Sequence, residues 1–235
     1  MYYPMYFDPT YILIIAGMII SLIASARVKS TFAKYQRVAN HSGMTGRDAA
    51  ERILHGANIY DVRIERVSGH LTDHYDPRDK VLRLSDSTYQ SASVASVGVA
   101  AHECGHAIQH ATGYAPLRFR GALVPVANFG ATIAWPLILL GFFINSRSSD
   151  LFIHLGIIAF SLSVLFQLVT LPVEFNASRR AVRILGSSGM LCQNEVAETK
   201  KVLDAAALTY VASAAGSILQ LLRILIIAGG RRGND

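Results

Sequence analysis

Two long apolar runs, about Ala122 to Ile144 and Leu151 to Leu171, constrain this chain more than any other feature. A helix of about 20 apolar residues crosses the roughly 30 Å hydrocarbon core of a bilayer, and each run is long enough. Only the polar stretch "NSRSSD" separates them, so they read as a transmembrane hairpin, with Trp135 and Pro136 interrupting the first arm. A third run, "YILIIAGMIISLIASA" from Tyr11 to Ala26, is shorter but spans if Thr10, Arg27 and Lys29 sit at the interfaces. Its "ASA" ending resembles a signal-peptide cleavage site. The flanking charges argue the other way, since an acid precedes the run while Arg27, Lys29, Lys34 and Arg37 follow it. The expectation is an uncleaved anchor with its amino terminus outside.

The fourth run, "AAALTYVASAAGSILQLLRILIIAGG", carries Gln220 and Arg223, and an arginine at membrane depth faces protein or water. It reads as either a span or a membrane-packed helix. Composition agrees with a membrane protein: 51% of residues are hydrophobic and only 16% charged, with mean hydropathy +0.34. The net charge of +6 could suggest nucleic acid, but the basic residues flank apolar runs and form no aromatic-interleaved patch, so membrane topology explains them better. If the first helix leads inward, the basic segments 27–120 and 179–201 both fall in the cytoplasm, as the positive-inside rule prefers. Two cysteines make no disulfide framework. Gly17, Ser21 and Ser25 are small enough for close helix packing, expected within the chain.

The organisation expected is an anchor over 1–27, a cytoplasmic region over 28–120, a hairpin over 121–171, a cytoplasmic helix over 172–204 and an apolar helix over 205–235. In the polar region, Thr45 and Asp48 mark a helix start and Gly56 its stop. "DVRIE" alternates like a strand, and "HLTDHYDPRDKVLRLS" reads as a hairpin turning at Asp76-Pro77-Arg78-Asp79. The fold class is therefore a mainly α membrane protein with a small α+β region, its short sheet beside the helix of "VAAHECGHAIQH".

That helix carries the chemistry. Residues four apart stack on one helix face, so His102 and His106 can turn imidazole nitrogens toward one zinc ion. Glu103, one residue round, is placed to take a proton from a water at such an ion. His110 lies on the same face but two turns from His102, too far to share the ion. Val94, Val97, Ala101, Cys104 and Ile108 form the core-facing stripe, which the histidines avoid. A catalytic zinc needs a third protein ligand and keeps one position for water. Glu174 in "LPVEFNASRRAVRIL", after the break expected at Pro172, is the preferred candidate over Glu195 and Glu198, which read as a solvated face. Candidate oxyanion donors are Arg179, Arg180, Arg223, Tyr210 and His110. An extended peptide substrate could add as a strand beside the zinc helix.

"VAAHECGHAIQHATGYAPLRFR", "LTDHYDPRDKVLRLSDSTY" and "PVEFNASRRAVRIL" resemble the YugP-type zinc metallopeptidases, a bacterial membrane family, over nearly the whole chain. More distantly, His102-Glu103-x-x-His106 with Glu174 is similar to the gluzincin arrangement of HtpX and the CAAX prenyl protease. The resemblance implies a zincin-like region holding one Zn2+, peptide or protein substrates, Glu103 as base, and a site on the cytoplasmic side of a bacterial cytoplasmic membrane. Gluzincins commonly carry an aspartate where Ser178 stands; a hydroxyl there accepts an imidazole N–H without a carboxylate's charge. Three other readings predict different patterns. A site-2-type intramembrane protease needs an aspartate ligand within a span. A zinc-stabilised adaptor needs a closed fourth position. A zinc transporter needs ligands in the spans, where His154 alone is found.

Overall fold

A computed structural model of the chain describes residues 8–144 and 149–231. Its elements run α1 (Tyr11–Tyr35), α2 (Gly46–Gly56), β1 (Arg63–Val67), β2 (His74–Asp76), β3 (Val81–Ser85), α3 (Asp86–Tyr89), α4 (Val94–Ala111), α5 (Ala115–Phe143), α6 (Ser149–Ser187) and α7 (Gln193–Arg231). Four helices are long and apolar enough to cross a membrane: α1, α5, α6 and α7 as far as Gly230. At 1.5 Å per residue, the 39-residue α6 and α7 are each about 58 Å long, well beyond a hydrocarbon core. Each helix therefore has an apolar part and a charged part. The hairpin connection at 145–148 and the terminal residues 232–235 lie outside the described residues.

The chain divides into two compact units. One comprises residues 1–23, 119–170 and 210–235. Its large side chains face outward: Ile12, Leu22 and Phe129 are each at least 66% exposed, which suits contact with lipid. Small residues let its helices approach closely. Gly17 lies against Gly216, where an added Cβ would meet the partner Cα at 3.4 Å, so this small-residue face packs within the chain. Arg223 is satisfied locally. Its Nε donates to Thr10 Oγ1 at 3.2 Å, its terminal nitrogen lies 3.6 Å from Asp8, and its guanidinium covers the Tyr11 ring at 4.6 Å.

The second unit comprises residues 24–118 and 171–209. α2 starts as its sequence dictates, in a capping box in which Thr45 and Asp48 each satisfy the other's backbone N–H. The sheet has order β1-β3-β2. The expected hairpin forms, with β2 antiparallel to β3, and Asp76 accepts the Arg78 N–H at its turn. β1 lies parallel to β3 on the other edge. Leu54 of α2, Leu82 and Leu84 of β3, Val97, Ala101 and Cys104 of α4, and Leu185 of α6 make one buried cluster. The stripe read from α4 is thus its core face, with Val94 and Ile108 at its ends.

Two expectations are corrected. Pro172 does not break the helix, since α6 runs through it to Ser187. A proline removes one hydrogen bond, whereas ending a helix exposes several backbone groups, and beside an apolar run the smaller loss prevails. Glu195 is not a solvated side chain. It is 6% exposed and accepts the Cys192 N–H at 2.8 Å and the His41 N–H at 2.7 Å, capping α7 and anchoring a loop. The borders expected at 171 and 204 fall inside α6 and α7.

α4 and α6 approach closely at Gly105. A Cβ on Gly105 would meet the Ala177 carbonyl oxygen at 2.7 Å and its Cα at 3.1 Å. Gly105→Ala should push the two helices apart at a cost of about 1–3 kcal/mol. Thermal unfolding of the full chain checks this: Gly105→Ala lowers the midpoint, while Gly56→Ala, with nothing within 4 Å of its added methyl, leaves it within error.

Candidate metal centre

Gly105 sits between the two histidines of its helix, so the close approach of α6 brings that helix's own side chains to the imidazoles. His102 Nε2 and His106 Nε2 lie 3.2 Å apart. Glu174 Oε2 lies 3.3 Å from the first and 3.4 Å from the second. A metal about 2.0–2.1 Å from each of three tetrahedral donors spaces those donors about 3.3–3.4 Å apart. The three atoms thus already form one face of a zinc-sized tetrahedron. Both rings are about 12–13% exposed and the carboxylate 3%. Among the described residues no fourth His, Cys, Asp or Glu joins the group.

The protonation of His106 follows from a chain of obligatory donors. Arg180 Nε can only donate, and it gives a hydrogen bond to Asn176 Oδ1 at 2.8 Å. The same oxygen accepts from Gln109 Nε2 at 3.0 Å, and that amide also donates to the Val173 carbonyl at 2.8 Å. Gln109 Oε1 is therefore the atom facing His106 Nδ1, at 3.0 Å, and it must accept. His106 then carries a proton on Nδ1, and Nε2 is the nitrogen that faces the cluster. His102 Nδ1 faces Ser178 Oγ at 3.1 Å, a contact that holds the ring with its Nε2 toward the cluster. Two imidazole nitrogens and a carboxylate oxygen at such spacing suit a divalent cation, and His, His and Glu is a donor set that zinc accepts.

Glu103 is 9% exposed and accepts the Tyr75 N–H on Oε2 at 3.0 Å. β2 is an edge strand, and this N–H leaves the ladder to meet the carboxylate. The Tyr75 hydroxyl hydrogen-bonds His110 Nδ1 at 2.8 Å. Burial, with Asp61 and Asp76 nearby, pushes that phenol up to about 12, so it stays protonated.

The structure brings His102, His106 and Glu174 together, with Ser178 against one ring and Arg180 linked to the other. His110 is engaged by Tyr75. Arg179 donates to the Phe175 carbonyl at 3.3 Å and points elsewhere. Tyr210 and Arg223 belong to the other compact unit. Sequence reasoning missed Gln109, Asn176 and Tyr75. Gln109 had a signal, standing three residues after His106 on one helix face.

Comparison with known proteins agrees with this chemistry. A family model described as "Putative neutral zinc metallopeptidase" matches residues 10–229. The chain belongs to this family. It is 48% identical over 223 residues, 94% of its length and 98% of the relative's, to a Bacillus subtilis (strain 168) protein named "Putative membrane protease YugP". No solved structure matches the chain. Membership of a zinc peptidase family implies zinc, and the donor set fits it.

Replacing Gln109 by Leu keeps its bulk but removes the acceptor for His106 and strands the Val173 and Asn176 partners. Groups that orient ligands this way are worth roughly 10–100-fold in metal affinity. Competition titration against a chromophoric chelator should show zinc binding weakened by that factor in Gln109→Leu.

Proposed function

We propose that this protein is a membrane-embedded metalloendopeptidase of the gluzincin kind, in which His102, His106 and Glu174 hold one zinc ion and Glu103 is the general base. The observation that carries the reading is the buried triangle of donor atoms with Glu103 beside it on the same helix. When bound, zinc supplies Lewis acidity toward a peptide carbonyl and a water. With the ion in place, the Glu103 carboxylate would take a proton from the attacking water as its oxygen adds to the carbonyl carbon. It then returns the proton to the departing amine nitrogen, and the products are a carboxylate and an amine. The Tyr75 N–H holds one oxygen of Glu103 in place, leaving the other for the proton. Three protein donors with no fourth among the described residues favour an open catalytic position over a closed structural one.

The substrate class is read from the surroundings. The Tyr75 carbonyl shares the outer edge of β2 with its N–H, so an extended peptide can add there as a strand. The apolar helices favour membrane-associated or unfolded proteins as substrates, cut at the cytoplasmic face where the positive-inside rule places the basic segments. Within the zincin-like region, Ser178 replaces the charged partner of a ligand histidine by a neutral one. That contact orients His102 without bringing a second negative charge to the ring.

Purified full-length protein tests the reading by zinc content and cleavage of casein. Glu103→Gln should keep its zinc and lose hydrolysis by at least about 100-fold, the usual contribution of a general base. Glu174→Ala should lose both. Undiminished hydrolysis in Glu103→Gln would eliminate the assignment.

A further inference from the structure

A cavity of about 680 Å³ opens between α6 and α7 in the unit that holds the cluster, and the peptide chemistry makes no use of it. Arg179, Arg183 and Lys200 line it, against a single carboxylate, Asp204. Lys200 is bonded to Asp204. Arg183 has no hydrogen-bond or ion-pair partner among the described residues, and Arg179 uses only its Nε, on the Phe175 carbonyl. Two guanidiniums one helical turn apart therefore line the cavity with no acid paired to either among the described residues, and the lining carries net charge +2. The remaining wall is apolar, built from Phe175, Val182 and Leu203.

Unpaired arginine forks in a concave site are receptors for phosphate oxygens, which they bind bidentately. The apolar wall adds a requirement that free phosphate does not meet. α6 passes from apolar to charged on reaching the cavity, and α7 passes from charged to apolar on leaving it. Basic residues at such transitions meet lipid headgroups. We propose that this cavity binds the phosphate headgroup of an anionic phospholipid, with Arg179 and Arg183 on the phosphate and the first acyl carbons against Phe175 and Leu203. Ser178 also lines the cavity, and its hydroxyl faces His102 Nδ1, so the bound lipid lies one side chain from the metal cluster. The site itself does not depend on the peptidase reading.

Native mass spectrometry of the full-length protein in mixed micelles tests the proposal, titrating phosphatidylglycerol and phosphatidylcholine. The wild type should retain phosphatidylglycerol at least about tenfold better than phosphatidylcholine. Arg179→Gln with Arg183→Gln should weaken that binding roughly thirtyfold, from two cations at a lipid surface. Arg183→Gln alone should weaken it several-fold, and it removes no bond on which folding depends. Arg52→Gln with Arg63→Gln, two exposed charges elsewhere, should change nothing. Equal retention of the two lipids would overturn the proposal, as would equal losses in the site and control variants. Displacement of the lipid by millimolar inorganic phosphate, or by a glutamate-rich peptide with the same arginine dependence, would also overturn it, by showing a simple anion site or a substrate subsite.

Discussion

The Glu174 carboxylate is almost completely buried, and two imidazole nitrogens lie within 3.4 Å of one of its oxygens. A buried carboxylate is costly unless it is paired or coordinates a cation, and the surrounding architecture makes that arrangement tolerable. α4 supplies both rings from one face while its opposite face fills the core. Gly105 removes the side chain that would keep α6 away. α6 continues through Pro172, so the carboxylate is delivered by a rigid helix and not by a loop. Each contribution is an ordinary packing choice, and together they set three donor atoms at zinc spacing.

Orientation is as important as proximity, since an imidazole with its proton on the wrong nitrogen cannot ligate. Here neutral groups hold both rings: the Gln109 carbonyl oxygen directs the His106 proton to Nδ1, and the Ser178 hydroxyl contacts His102 Nδ1. The only charge in the first chain is Arg180, two side chains away and donating toward the ring through Asn176. Such a shell fixes geometry without adding negative charge near the ion, which favours Lewis acidity over tight binding. The cost falls on metal affinity, and the near-complete burial of Gln109 offsets part of it by keeping competing water away.

Much of this was legible in the residues. The His-Glu-x-x-His spacing, the Thr45 and Asp48 cap and the proline turn after Asp76 are local codes, each decided within a few residues. The apolar runs were equally plain, because crossing a bilayer needs only length and composition. What stayed hidden depends on distant partners. The parallel pairing of β1 with β3 joins segments separated by β2, and no local code marks it. Gln109 looks like any polar helical residue until α6 supplies its acceptors, and Glu195 looks solvated until the loop at His41 covers it. Pro172 misled because proline ends helices in water, where freed backbone groups find other partners, and continues them where those groups would find none.

X-ray absorption at the zinc edge on the loaded full-length protein tests the central geometry most directly. The account predicts a four-coordinate ion with two imidazole nitrogens and oxygen in the remaining positions, and the loss of one oxygen ligand without loss of imidazole in Glu174→Gln protein that is forced to load at high zinc. A sulfur ligand, a third imidazole, or an unchanged spectrum in that variant would contradict it.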